Sequence, residues 1–328
     1  YMEAQRDLEL KILARERALG MTPVLPMFAG HVPTAIKDHY PNSSITIASE
    51  WANFGKEYRP WVLEATDPLF IKIGKRFLEI QASIFGSNHI YNGDVYNEEL
   101  PPSSDPAYLT SSSKAVYEGM ISADPAGIWL MQGWLFVNDP QFWKDQQIEA
   151  YLSGVPNDKM IILDLYTDSV PVWSKTHEYY GKPWIWCMLL NFGGTPGMFG
   201  SLDKIQTQPY ADQKSSSHMV GIGLTMEAIA NNYIMYDAML ESHWRSSPPD
   251  QDQWLKDYVA RRYGADAISL QGINTAWVNI RQYIYRSWNP GSEMEWTPRF
   301  TPSLSRVKPH VLADAKTLAD IHAGGPAQ

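Results

Sequence analysis

The chain has 328 residues, 44% hydrophobic and 19% charged, with a net charge of −9 and one cysteine. That is ample for a sizeable core, and long for one domain unless the domain is a barrel. An acidic balance without a Lys/Arg stripe makes nucleic acid and anionic membrane surfaces poor candidates for partners, no run approaches the roughly 20 apolar residues of a membrane span, and Cys187 alone makes neither an internal disulfide nor a thiolate metal cage.

In chain order, residues 2–19 carry Ala4, Leu8, Ile12 and Leu19 at near-helical spacing, with Gly20 as the stop. Opening at Tyr1 directly into a helix, the chain reads as a fragment or processed piece of a longer protein. Residues 21–26 follow as a short buried strand. Further strands are predicted at 88–96, 127–136, 159–166, 184–191 and 219–225, with helices between them. Two of those helices open on Asp67-Pro68 and Asp105-Pro106, aspartate at the N-cap and proline at N1.

The strands are apolar almost throughout, as in Met160-Ile161-Ile162-Leu163, which a parallel sheet covered on both faces requires. Strand–helix units repeating every 25–40 residues or so fit a (β/α)₈ TIM-type barrel of about 250 residues. Six strands are present in this reading, so the first two are expected upstream of Tyr1. Helices are predicted at 229–241, 251–263 and 266–288, with Ser247-Pro248-Pro249 as a linker and no strand after residue 230. The division that follows is a barrel over 1–245, truncated at its N-terminus, and the start of an all-α region over 246–328. Cys187, inside Trp186-Cys187-Met188-Leu189, is expected to be a buried, inert thiol.

Chemistry in a barrel sits on the loops after the strand C-termini. Glu98, after His89-Ile90-Tyr91-Asn92-Gly93-Asp94-Val95-Tyr96-Asn97, and Glu227, after Gly223-Leu224-Thr225-Met226, both meet that condition. Two such carboxyl groups flanking a glycosidic bond are what glycoside hydrolysis needs: one protonates the leaving oxygen, and the other attacks the anomeric carbon or activates water. The Pro101-Pro102 turn holds Glu98, and Asn97 beside it offers an amide to a sugar substituent. Alone, each glutamate reads more readily as a helix cap or an Arg partner on the rim. Asp94 reads as structural, Glu99 as pointing away, and Asp164 and Asp168 as loop hydrogen-bond acceptors and second-choice site acids. His31, His89 and His218 read as single structural imidazoles. Other chemistries lack their signatures. His177-Glu178 has no second histidine for a zinc-protease helix, no G-x-S-x-G elbow exists, and the glycine-rich stretch at 193–200 lacks the Gly-Lys-Ser/Thr of a phosphate cradle.

Several words of the sequence, taken in order, resemble the α-N-acetylglucosaminidase family, glycoside hydrolase family 89. They are Gly20-Met21-Thr22-Pro23-Val24-Leu25-Pro26 with Phe28-Ala29-Gly30-His31-Val32-Pro33; Tyr96-Asn97-Glu98 with Pro101-Pro102-Ser103-Ser104; Gln132-Gly133-Trp134-Leu135-Phe136; Trp186-Cys187-Met188-Leu189 leading to Asn191-Phe192-Gly193-Gly194; and Ala260-Arg261-Arg262-Tyr263-Gly264. The resemblance implies a small N-terminal domain, a (β/α)₈ barrel and an all-helical C-terminal domain that helps wall the pocket. It implies retaining removal of terminal α-linked N-acetylglucosamine, in animals from heparan sulfate, with a lysosomal or secreted location. Glu98 is then the general acid/base and Glu227 the nucleophile, and Asn97, Trp51, Trp134, Leu165, Leu189 and Phe192 line the sugar site. No metal or organic cofactor is implied, the partner is the carbohydrate itself, and the helical domain is the surface for homo-oligomer formation. The chain departs from the family at Met226-Glu227-Ala228, where Pro-Glu-Gly is common, and at Leu190, where histidine is common. Two other readings stand beside this one: a barrel glycosidase of different specificity, and a truncated, inactive glycan-binding pseudoenzyme. The triplet Asn42-Ser43-Ser44 is a glycosylation sequon and permits a secretory route.

Overall fold

A computed structural model describes residues 1–50, 55–190, 198, 200–227, 232–264 and 267–287. The chain divides into two compact units, Tyr1–Asp164 with Val172–Ile185, and Leu165–Pro171 with Trp186–Gln328.

The first unit opens with helix α1 (Met2–Ala18) and strand β1 (Leu25–Pro26). A small antiparallel sheet follows, built from β2 (His31–Val32), β3 (Ile45–Ile47) and β4 (Trp61–Leu63) in the order β2-β4-β3, with the one-turn helix α2 (Ile36–His39) in its crossover. The chain then alternates: α3 (Pro68–Phe85), β5 (Ile90–Asn92), α4 (Pro106–Ile121), β6 (Ile128–Gln132), α5 (Trp134–Asn138), α6 (Asp145–Ser153), β7 (Met160–Asp164) and α7 (His177–Gly181). Strands β1, β5, β6 and β7 are parallel neighbours in that order, with Leu25 opposite Tyr91, Asn92 opposite Leu130 and Trp129 opposite Met160. Along β6 and β7 buried residues alternate with half-buried ones and none is exposed, the mark of a sheet covered on both faces.

Both Asp-Pro caps form as the sequence predicts. Asp67 accepts the Leu69 amide at 2.8 Å and Asp105 accepts that of Ala107 at 3.3 Å. The same Asp67 carboxylate takes the Ser44 amide at 2.7 Å, tying α3 to the small sheet. Helices α3 and α4 cross where neither has a side chain: a Cβ built on Gly74 would lie 3.6 Å from the Gly119 Cα. Gly154, after α6, is tighter still, since a Cβ there would meet Ser113 Oγ of α4 at 2.1 Å. Helix α7 is a left-handed turn, with φ between 49° and 55° from His177 to Tyr180. L-residues resist that hand; Tyr179, fully buried, and Tyr180, whose hydroxyl donates to the Asp145 carbonyl at 2.9 Å, anchor it.

The second unit contains β9 (Gly200–Ser201), α8 (Leu202–Ser215), β10 (Met219–Leu224), α9 (Tyr233–Ser242), α10 (Gln251–Tyr263), α11 (Ala267–Tyr283) and β11 (Arg286–Ser287). Strand β8 (Trp184–Met188) begins in the first unit and ends in the second. The expected helical run is present. Asp250 caps α10 through the Gln253 amide, and Trp254, Tyr258 and Trp277 pack at ring separations of 5.5 Å. Cys187 is fully buried, as expected.

Four expectations need correction. Helix α1 forms, but Leu8, Ile12 and Leu19 are exposed and the buried position is Leu13, so the assumed apolar face was the wrong one. The predicted strand at 127–136 is two elements, because Gly133 breaks it and Trp134 begins α5. The strand at 88–96 ends at Asn92, which puts Asp94 in the following turn. Strand does occur after residue 230: β11 pairs antiparallel with β9, Arg286 opposite Ser201.

Candidate active site

In the first unit the site grows from the C-terminal ends of the neighbouring strands β5 and β6. Their ends are cross-tied, Asn92 Nδ2 donating to the Leu130 carbonyl at 3.0 Å and Trp129 Nε1 to the Gly93 carbonyl at 2.8 Å. Beyond β5 the chain turns through Asp94 to Glu99. Tyr96 anchors this turn from below. It is buried among Trp143 and Tyr151, and its hydroxyl is hydrogen-bonded to Ser112 of α4 at 2.7 Å. Asn97 adopts a left-handed φ of 30°, the Glu99 amide bonds the Tyr96 carbonyl, and Glu98 projects from the turn, exposed.

Trp134, the first residue of α5 beyond β6, meets it there. Its indole Nε1–H donates to Glu98 Oε1 at 2.9 Å. Gly133 makes that approach feasible, since its amide bonds the Leu163 carbonyl at 2.9 Å and a Cβ would press on the same oxygen at 2.7 Å. Glu98, Asn97 and Trp134, three of the residues expected in the site, therefore belong to one corner of the unit.

Glu98 stands at the junction of two cavities. One, of about 590 Å³, is lined by His31, Tyr58, Arg59, Asp94, Asn97 and Glu98 among others. The second, of about 420 Å³, runs between the small sheet, at Thr46 to Ser49 and Val62 to Ala65, and the turn from Val95 to Pro102. Burial raises the Asp94 carboxyl to about 6; the Asn97 amide that it accepts opposes this, and the Glu98 charge adds to it. Asp94, read from sequence as structural, thus shares a wall with Glu98. His31, Tyr58 and Arg59 were missed as wall residues. Their signal was absent because His31 opens a two-residue strand, β2, and Tyr58 and Arg59 lie just before the three-residue β4.

In the second unit Thr225, at the end of β10, is the tie. Its amide bonds the Met188 carbonyl at 3.0 Å and its hydroxyl donates to the Leu165 carbonyl at 2.8 Å. Those bonds gather Leu165, the end of β8 beside Leu189, and the segment leading to Glu227, which is exposed. Leu189 is buried, 1% exposed, and its amide donates to Asp168 Oδ1 at 3.0 Å; the Leu190 amide donates to Oδ2 at 3.1 Å, with Leu190 at φ 52°. Burial raises the Asp168 carboxyl to about 7, against these amides and the Lys204 charge. Asp164, also buried, accepts the amides of Val172 and Trp173 at 3.1 and 2.9 Å. Both aspartates therefore serve the loop-building role that the sequence suggested. Trp51 and Phe192, the other two expected wall residues, lie outside the described residues.

The chain matches, over residues 1–246, the family model described as the alpha-N-acetylglucosaminidase (NAGLU) tim-barrel domain. Human alpha-N-acetylglucosaminidase is 42% identical over 284 residues, which is 86% of this chain and 38% of that protein. Among solved structures, a family 89 glycoside hydrolase from Clostridium perfringens in complex with 2-acetamido-1,2-dideoxynojirmycin aligns with a TM-score of 0.77 at 24% identity. It covers 95% of this chain and 36% of its own. A form of the C. perfringens enzyme with two glutamate-to-glutamine substitutions, in complex with its substrate GlcNAc-alpha-1,4-galactose, aligns with a TM-score of 0.76, also at 24% identity, over 95% of this chain and 35% of that one. The chain thus spans a little over a third of the length of these relatives.

Proposed function

The chain belongs to the α-N-acetylglucosaminidase TIM-barrel family, and on that premise we propose that it forms the catalytic barrel of a retaining glycoside hydrolase that releases terminal α-linked N-acetylglucosamine, with Glu98 as acid/base and Glu227 as nucleophile. The observation that carries the proposal is the hydrogen bond from Trp134 Nε1 to Glu98 Oε1, at the strand ends and on the wall of the 590 Å³ cavity. A carboxyl oriented by an indole N–H, with one face open to a cavity, is in position to hand a proton to a bound leaving group.

The chemistry is a double displacement. A Glu227 carboxylate oxygen bonds to the anomeric carbon while the glycosidic C–O bond breaks, and the departing oxygen takes the Glu98 proton. Water then adds at the anomeric carbon, giving its proton to Glu98 as the bond to Glu227 breaks. Two inversions leave the released sugar in the α configuration. Asn97, Trp134, Leu165 and Leu189, with Trp51 and Phe192, are assigned to the sugar-site wall by the family resemblance. A heparan sulfate-type glycan and a lysosomal or secreted setting belong to the same proposal; the exposure of Asn42 in its sequon supports the secretory part.

The test is kinetic, on the protein at its full natural length, with an aryl α-N-acetylglucosaminide. Glu98→Gln and Glu227→Ala are each expected to lower turnover by about 10²–10⁴-fold. Azide is expected to rescue Glu227→Ala with formation of the β-azide. Normal turnover in Glu227→Ala, or β-N-acetylglucosamine as the first wild-type product by NMR, overturns the proposal. Release of a different sugar, with none from α-N-acetylglucosaminides, points instead to a barrel glycosidase of other specificity.

A further inference from the structure

Glu227 is reached along a strand with little packing of its own. No residue of β10 is buried, and two of its six residues are Gly221 and Gly223, whereas in β8 all but Ile185 are buried. A glycine in a strand offers no side chain to pack, and a Cβ built on Gly221 would meet nothing within 4 Å among the described residues. Burial therefore does little to fix the end of β10.

The hydrogen bonds of Thr225, the next residue, supply what burial does not. Its amide donates to the carbonyl of Met188, the last residue of β8, at 3.0 Å. Its hydroxyl donates to the Leu165 carbonyl, in the segment that follows β7, at 2.8 Å. Any residue but proline can make the first bond; only a hydroxyl side chain makes the second. The branched side chain is also stiff at χ1, so a bond from its hydroxyl restrains the backbone that carries it. Glu227 stands two residues further on, with its side chain exposed. Its placement thus depends more on the chain leading to it than on burial.

We propose that Thr225 is a positioning residue for Glu227: its hydroxyl, fastened to the Leu165 carbonyl, fixes where the nucleophile stands relative to the anomeric carbon. This rests on the reading of Glu227 as the nucleophile. Attack requires the two reacting atoms about 3–3.5 Å apart and aligned, so a strand end set loose slows the reaction more than it weakens sugar binding.

Thr225→Val keeps the shape of the side chain and removes the hydroxyl, and Thr225→Ser keeps the hydroxyl. In the full-length protein, with an aryl α-N-acetylglucosaminide, Thr225→Val is expected to lower kcat by about tenfold or more with KM little changed. Thr225→Ala, which has no second methyl group to place, is expected to show the same loss, and Thr225→Ser to restore most of it. The separating measurement uses the Glu227→Ala background, in which azide replaces the side chain that Thr225 aims. The azide-rescued rate is expected to agree within about twofold with and without Thr225→Val. An unchanged kcat in Thr225→Val, a full loss in Thr225→Ser, or a rescued rate that falls by the same factor as kcat overturns the proposal while leaving Glu227 in place. Normal turnover in Glu227→Ala itself instead brings down the reading on which it rests.

Discussion

Glu98 is held from two sides, by the Trp134 indole and by the turn that Tyr96 anchors. Trp134→Phe keeps the ring and removes only the N–H, so it isolates the first support. It is expected to lower kcat about tenfold, the effect of a charge-assisted hydrogen bond of roughly 1.4 kcal/mol, with little change in KM. An unchanged kcat shows that the indole does not orient Glu98 for the proposed chemistry. At this scale the sequence was informative where a residue's role depends on its neighbours in the chain. The place of Glu98 beyond a strand end was legible because it follows an apolar strand and precedes Pro101-Pro102. Asp94, read as structural, shares a wall with His31 and Arg59, residues 63 and 35 positions away, a grouping that no local pattern encodes. The same holds for Trp134. It was read as part of the strand predicted at 127–136, and its hydrogen bond to Glu98 spans 36 positions.

Among the elements, those with local chemical punctuation were read correctly. Asp-Pro gives the start of α3 and α4 because cap and N1 are adjacent in sequence. Asp67 does more than cap, since its second oxygen holds the Ser44 amide. Asp67→Ala is therefore expected to cost about 2 kcal/mol, the upper end for a helix cap, read as a lower urea midpoint; a loss no larger than that of Asp105→Ala shows that the Ser44 bond contributes nothing. The strands β2, β3 and β4 were invisible because two or three residues are too few to display alternation. Helix α5 was absorbed into the preceding strand for a related reason. Trp134-Leu135-Phe136-Val137 is as apolar as β6, and only Gly133 marks the join. The exposed face of α1 shows the opposite failure, a spacing that fits a helix without telling which side is covered.

For the molecule as a whole, the alternation of parallel strands and helices was the most secure inference, because continuous apolar runs at a repeating interval are a property of the entire sequence. Its pH response follows from two aspartates rather than from net charge. Asp94 is raised to about 6 and Asp168 to about 7, each chiefly by burial. In both, the folded state holds the proton more tightly than the unfolded chain. The stability this confers is complete below the unfolded value near 4 and is lost as pH rises through about 6 and 7. The urea midpoint is accordingly expected to be higher at about pH 5 than at about pH 8, and Asp168→Asn to flatten that slope. Equal wild-type midpoints at the two values contradict the assignment.

The three-stranded sheet between β1 and α3 lies outside the parallel strand repeat, yet it furnishes much of the wall facing Glu98 in both cavities. The cavity wall and the strand ends that carry Glu98 and Trp134 are thus encoded in separate stretches of the chain. Substitutions in that excursion can therefore reshape the cavity wall while the strand ends that hold Glu98 and Trp134 stay as they are.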